Sequence, residues 1–202
     1  NPIAFSITVS DLFFNIQIYK KFMQLKKIVV FAGICVMMNA CSVQKNNVTE
    51  VTPSYKVKTE GGEKILIGMI NRPLIENNET FTWFKKNYDL KTPDAAAVAA
   101  FRQHASEFQL VVFGGTWCED THNLLGGFYK LTDISGFPPE NITLIGVDHE
   151  HRALFDMAKV FNITNVPTFI VMKNGKEVGR VVEYGDSGEP DKDLGKIVAS
   201  MK

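Results

Sequence analysis

The chain has 202 residues and a mass of 22.6 kDa, with 45% hydrophobic and 22% charged residues and with 22 basic against 22 acidic side chains. This composition is typical of a folded protein and excludes collagen, a coiled coil and a largely disordered chain. Four of the lysines and one aspartate lie before residue 42, so 18 basic and 21 acidic side chains follow, which give no basic surface for a nucleic acid.

The N-terminal part of the chain has the layout of a secretory signal peptide. Met23 is a plausible start residue, and the basic pair Lys26 and Lys27 precedes an apolar run over residues 28–38. This run of about 11 residues suits the core of a signal peptide and is too short for a helix that spans a bilayer. We therefore predict a signal peptide over residues 23–40.

The end of this segment resembles a lipid attachment site. Ala40 stands directly before Cys41, and this pair resembles the lipobox of bacterial lipoproteins, in which the cysteine is lipidated and becomes the mature N-terminus. Ser42 follows where an aspartate usually retains such proteins at the inner membrane, so the resemblance implies the outer membrane. An uncleaved membrane anchor or a buried strand is the alternative interpretation of this stretch.

Two further N-terminal segments are expected to lie outside the fold. Residues 1–22 precede Met23, and we interpret them as a non-native upstream extension. After the lipidated Cys41, the residues up to 63 are mostly polar, as expected of a flexible tether between a membrane and a domain.

From residue 64 onward, apolar runs alternate with helical periodicity, which predicts an α/β fold. In chain order we predict a strand at 66–70, a packed segment at 80–88, a helix capped by Thr92, a strand at 110–113, a helix opening at Cys118, a strand at 142–147, a helix carrying Leu154, Ala158 and Phe161, a hairpin of strands 169–172 and 178–182, and a last helix over 193–201. The continuous apolar run 110–113 suits a central strand that is buried on both faces. Asn174 and Gly175 between two apolar runs are the strongest short-range signal for a hairpin.

This order of elements, with three short motifs in it, resembles the thioredoxin family over residues 108–202. The motifs are Trp117-Cys118 at a helix start, Val166-Pro167-Thr168 before a strand, and the Asn174-Gly175 turn. The resemblance implies a three-layer sandwich with a central mixed sheet and helices on both faces, preceded by an N-terminal extension over residues 64–107. With the lipobox included, the sequence is most similar to thioredoxin-like lipoproteins of the bacterial cell envelope, which implies a lipid-anchored protein at the periplasmic face of the outer membrane.

The same resemblance assigns roles to individual residues. Cys118 matches the nucleophilic cysteine, and Thr121 stands where the family has its second, resolving cysteine. Val112 stands where the family has a buried acid. The platform for the client is formed by Trp117 and by the loop of Val166, Pro167 and Thr168, whose proline is cis in the family. The motif is therefore a single-cysteine Cys-x-x-Thr.

A lone cysteine at a helix start can still exchange disulfides. The unpaired N–H groups of the first helical turn favour the Cys118 thiolate, and the Thr121 hydroxyl is close enough in sequence to donate to it. Glu119 and Asp120 add negative charge in the same turn and oppose this effect. The thiolate can form a mixed disulfide, but an external thiol must release it. We expect monothiol exchange with disulfide or thiol clients, no cofactor and a membrane contact through lipid.

Two alternative functions are compatible with the same residues. A thioredoxin fold without a resolving cysteine suits a redox-inactive module that only binds its clients. Soft sulfur together with imidazole also suits copper or zinc, and the weak candidate ligands are Cys118, His122, His149 and His151. Histidines at a helix start or in a loop are more often solvated surface groups, so we predict no metal site. Whether the protein is an enzyme is left open.

Overall fold

A computed structural model describes residues 54–201 of the chain. Six strands and six α-helices lie in this range: β1 (Tyr55–Glu60), β2 (Glu63–Ile70), α1 (Arg72–Glu76), α2 (Thr82–Leu90), α3 (Ala95–His104), β3 (Gln109–Gly114), α4 (Glu119–Ser135), β4 (Ile142–Gly146), α5 (Met157–Val160), β5 (Thr168–Lys173), β6 (Lys176–Val182) and α6 (Pro190–Ala199). Short 3₁₀ turns at Glu79–Phe81, Pro139–Asn141 and Leu154–Asp156 complete the regular structure.

The strands form one mixed sheet in the order β1-β2-β4-β3-β5-β6. The pair β3 and β4 is parallel, and the other four pairs are antiparallel. Strand β3 is central, and all of its residues after Gln109 are buried, as the apolar run at its centre predicts. The hairpin between β5 and β6 turns at Asn174 and Gly175, whose φ angles of 52° and 74° fit the predicted Asn-Gly turn.

Each face of the sheet buries its own apolar cluster. Residues Leu110 and Val112 of β3 point to the face that α1, α2, α3, α4 and α6 cover. Val111 and Phe113 point to the opposite face, which is covered by the short helix α5 and by Phe161. This alternation follows from the period of two in a strand. The mixed sheet with helices on both faces confirms the predicted three-layer α/β fold.

Helix α4 is the longest helix in the described residues, and both of its ends have clear physical causes. Cys118 is its N-cap residue, and two acidic residues, Glu119 and Asp120, follow in its first turn. At the other end Gly136 has φ 71°, and its N–H group bonds to the carbonyl of Asp133, a left-handed cap that glycine allows at low cost. The predicted buried stripe is confirmed and comprises Leu124, Leu125, Phe128 and Leu131.

Three predicted boundaries are wrong. Asp94, not Thr92, caps helix α3, because its side chain accepts from the N–H of Ala97 at 2.9 Å. Helix α5 has only four residues, because Phe155 and Asp156 directly before it have positive φ angles of 58° and 54°. The last helix begins at Pro190, where proline suits the first turn.

The predicted tether over residues 41–63 is wrong in its C-terminal part. Residues Tyr55–Glu60 form β1, which pairs with β2, and the backbone carbonyl of Ser54 already accepts from Met69 N–H at 2.7 Å. These backbone hydrogen bonds fix the segment in the sheet although its side chains are mostly exposed. Strand β2 itself pairs with β4, so the extension preceding residue 108 shares the central sheet.

The remaining N-terminal predictions lie outside the described residues. These are the upstream extension 1–22, the signal peptide 23–40, the lipidation site Cys41 and the tether up to residue 53. Within residues 54–201, no helix is both long and apolar enough to cross a bilayer.

Candidate functional site

Cys118 lies in the short loop that joins the central strand β3 to helix α4. The loop is a tight turn in which the N–H of Cys118 donates to the carbonyl of Gly115 at 3.0 Å. The carbonyl of Cys118 then accepts from the N–H of His122 at 3.0 Å and so starts the helix. The Cys118 side chain is half-buried and has no disulfide partner within residues 54–201. Its sulfur therefore stands at the N-terminus of the helix with a path to solvent.

The loop before β5 faces this sulfur. The peptide bond between Val166 and Pro167 is cis, as the resemblance implied. The Sγ of Cys118 donates a hydrogen bond to the Val166 carbonyl at 3.1 Å. Thr168 is buried, and its hydroxyl donates to the Asn165 carbonyl at 2.7 Å, which closes the loop on itself. The structure thus brings together Cys118, Val166 and Pro167 from distant parts of the sequence.

Thr121 is close to Cys118, but its hydroxyl has a different partner from the predicted one. The side chain is only 1% exposed, and its Oγ1 accepts from the N–H of Gly115 at 3.2 Å. The sulfur of Cys118 bonds to Val166 instead of Thr121 within the described part of the chain. The expected donation from Thr121 to the sulfur is not observed among residues 54–201, where the hydroxyl instead accepts from the loop backbone.

The position beneath the loop is apolar. Val112 is completely buried, and its neighbours across the sheet are Leu144 of β4 and Phe169 of β5. The valine side chain has no ionisable group, so it cannot accept a proton from a thiol. The sulfur therefore has no proton acceptor at this position.

Trp117 packs over the loop that follows β4. Its Nε1 donates to the Val147 carbonyl at 3.0 Å, and its ring lies 4.4 Å from the ring of His149 and 5.8 Å from that of His151. The Nε2 of His149 lies 3.8 Å from the carboxylate of Glu63. Trp117 is half-buried beside Cys118, so one part of its surface stays open to solvent.

The weak metal candidates do not form a common site. His122 stacks on Trp83 with ring centroids 4.4 Å apart, whereas His149 and His151 lie on the Trp117 side of the loop. Across residues 54–201 there is no group of three histidine, cysteine or acidic side chains that is suited to hold a metal ion. The arrangement therefore does not support the copper or zinc alternative.

Sequence reasoning gave no structural role to Asp148, which orders the loop after β4. Burial opposes its ionisation, but hydrogen bonds from the backbone and side chain of Arg152 and from the N–H of Glu150 outweigh burial and lower the pKa of the Asp148 carboxyl. The only sequence signal was an acidic residue directly after a strand. The ordered loop supports the two histidines that contact Trp117.

Known proteins provide independent evidence on the family. The sequence profile of the family described as Thioredoxin matches residues 94–198, more than half of the chain. Thioredoxin H2 from Arabidopsis thaliana is 27% identical over 100 residues, which cover 50% of this chain and 67% of that protein.

Two solved structures are more distantly similar. One is a protein of unknown function from Pseudomonas aeruginosa, with 20% identity, a TM-score of 0.40, and coverage of 57% of this chain and 79% of that one. The other is an HIV epitope-scaffold, with 19% identity, a TM-score of 0.35, and coverage of 58% and 98%. Both are too distant to support a statement about function.

Proposed function

The chain belongs to the thioredoxin family, and we propose that it carries out thiol–disulfide exchange through Cys118 as a lone nucleophile. The observation that carries this proposal is the contact between the Cys118 sulfur and the Val166 carbonyl at 3.1 Å, next to the cis bond of Pro167. A client strand lying along this loop has its disulfide within reach of the sulfur.

The proposed reaction has two exchange steps. Cys118 loses its proton to solvent, and the thiolate attacks one sulfur of a client disulfide. A new S–S bond forms between Cys118 and the client while the client disulfide breaks, and the departing client sulfur takes up a proton. An external thiol then attacks the mixed disulfide, reduces Cys118 back to its thiol and carries the client away as a second mixed disulfide. Where the client has a further cysteine, its thiol can attack the mixed disulfide instead, which forms a new client disulfide, releases Cys118 as its thiol and so isomerises the client.

The residues around Cys118 favour this monothiol route. Thr121 occupies the position of a resolving cysteine, and its hydroxyl cannot attack a disulfide under these conditions. Val112 supplies no proton acceptor for a resolving step. These features together predict that the mixed disulfide persists until another thiol arrives.

Intact-mass analysis of the full chain in detergent tests the proposal. After incubation with bis(2-hydroxyethyl) disulfide, we expect an adduct at Cys118, which peptide mapping distinguishes from any adduct at Cys35 or Cys41. The Cys118→Ser variant is the matched control, since it keeps the side-chain size and removes the sulfur, and its adduct at this position should be absent. If the parent chain forms no adduct at Cys118 over the whole accessible pH range, the protein is better described as a redox-inactive module that binds clients in the same groove.

We further propose that the protein is a lipoprotein of the bacterial envelope, anchored at the periplasmic face of the outer membrane through Cys41. This proposal rests on the basic pair, the apolar run and the Ala40-Cys41 pair in the sequence. The Cys41→Ala variant should lose its lipid and leave the membrane fraction, whereas Cys35→Ala, inside the apolar run, should fractionate like the parent. Membrane partitioning of Cys41→Ala equal to that of the parent would contradict the anchor.

A further inference from the structure

Thr116, two residues before Cys118, is tied to strand β2. Its hydroxyl donates to the carbonyl of Lys64 at 2.9 Å and accepts from the N–H of Leu66 at 3.1 Å. Among residues 54–201, strand β2 pairs with β4 only at Gly68–Ile70, so the edge of β2 at residues 64–66 faces no strand of this range on that side. The Thr116 side chain, which is 6% exposed, takes the place of that strand. The nucleophile loop is thus fastened to the edge of β2.

The main chain of Thr116 is linked to helix α2 through His122. The carbonyl of Thr116 lies 2.8 Å from Nε2 of His122, and this nitrogen must carry the hydrogen, because a carbonyl only accepts. The face of the His122 ring stacks on Trp83 of α2 with an angle of 22° between the planes. Asn87 of the same helix donates to the His122 carbonyl at 2.9 Å. His122 is therefore fixed both at its ring and at its backbone.

From these contacts we propose that the segment before residue 91 positions the nucleophile, with Thr116 as the central positioning residue. This inference rests on the proposed function. The Thr116 hydroxyl is hydrogen-bonded to β2, and the Thr116 carbonyl is hydrogen-bonded to His122. His122 in turn stacks on Trp83 of α2. Because attack on a disulfide requires the three sulfurs to lie nearly in line, a loop that can rotate loses most of its productive orientations.

Thr116→Val and Thr116→Ser form a matched pair that tests the hydroxyl arm. Valine keeps the branched shape but removes both hydrogen bonds to β2, whereas serine keeps the hydroxyl. With the full chain and a protein disulfide as client, well below each melting temperature, we expect Thr116→Val to form the Cys118 adduct about tenfold more slowly than the parent. Thr116→Ser should restore most of the rate. Equal rates for the parent and Thr116→Val would overturn the proposal.

Trp83 provides a second test if Thr116→Val does not fold. Trp83 is half-buried, so Trp83→Leu is expected to fold while it removes the stacking surface under His122. Trp83→Phe keeps an aromatic face and is the conservative control. Slower adduct formation in Trp83→Leu than in Trp83→Phe supports the proposal, and equal rates contradict it.

Amide hydrogen exchange separates this inference from the proposed function. If the parent forms no adduct, disulfide exchange is wrong, but the exchange rates of the Trp117 and Cys118 amides still report on the loop. Exchange at these two amides should be faster in Thr116→Val than in Thr116→Ser, with unchanged protection in the central strand β3. Identical protection of the loop in both variants would show that Thr116 does not position it.

Discussion

If Cys118 acts as the lone nucleophile that we propose, replacing Thr121 with cysteine should replace persistent covalent adducts by release of the client. The new thiol would stand three positions after Cys118, in the first turn of α4, where it can attack the mixed disulfide without an external thiol. An intramolecular thiol acts at a high effective concentration, so we expect turnover with a dithiol reductant to rise at least about tenfold. Reduction of a protein disulfide, followed together with the adduct by mass, measures both quantities.

The structure indicates how far this substitution lowers the stability of the fold. Thr121 is buried and its hydroxyl accepts the N–H of Gly115, whereas a thiol accepts hydrogen bonds only weakly. We expect Thr121→Cys to lower the free energy of unfolding by about 1 kcal/mol in the reduced state. Thr121→Ser is the matched control, because it keeps the hydroxyl without adding a thiol and should leave the adduct as stable as in the parent.

Val112 limits the rate at which the introduced cysteine resolves the mixed disulfide. A buried acid at this position would take the proton of the resolving thiol, and valine cannot. The Thr121→Cys variant should therefore resolve its adducts more quickly as pH rises and more thiolate forms in solution. An unchanged adduct level in Thr121→Cys at every pH would show that the absence of a second cysteine is not what retains the client.

The parts of the fold that the sequence predicts are those with a local hydrophobic pattern. Strand β3 is buried on both faces and reads as a continuous apolar run, and the stripe of α4 repeats at helical spacing. Strand β1 was missed because it is an edge strand whose six side chains are nearly all exposed, with Val57 at 52%. Its position in the sheet comes from backbone hydrogen bonds to β2, and the alternation of Tyr55, Val57 and Thr59 with charged residues is too short to distinguish a strand from a polar tether.

The contacts of the candidate site also fall into those that the sequence predicts and those that it does not. The sequence predicts that Cys118 faces Val166, because it predicts the order of the elements. The loop before β5 and the start of α4 then lie at the same end of the neighbouring strands. The stacking of Trp83 on His122 depends on how α2 packs against α4, and neither residue signals it locally. The partner of the Thr121 hydroxyl depends on the conformation of the loop, which spacing along a helix does not fix.

Close packing between α2 and α4 should make Gly126→Ala strongly destabilising. A Cβ atom at Gly126 would lie 2.5 Å from the N atom of Tyr88 and 2.8 Å from the carbonyl oxygen of Phe84. Both are backbone atoms of α2, so the whole helix must move to make room. We expect a loss of about 2–3 kcal/mol in the free energy of unfolding, or about 5–10 °C in Tm.

The neighbouring glycine provides a control that differs only in what its Cβ would meet. At Gly127 the nearest atom is Cγ of Lys91 at 3.1 Å, part of a flexible side chain that can turn away. A helix is more stable by about 0.5–1 kcal/mol with alanine than with glycine at an interior position, so Gly127→Ala should be neutral or slightly stabilising. Thermal unfolding of the two variants measures the difference, and a Tm for Gly126→Ala equal to that of the parent would contradict the close contact. Because α2 also carries Trp83, displacing it should slow adduct formation at Cys118 even where Gly126→Ala remains folded.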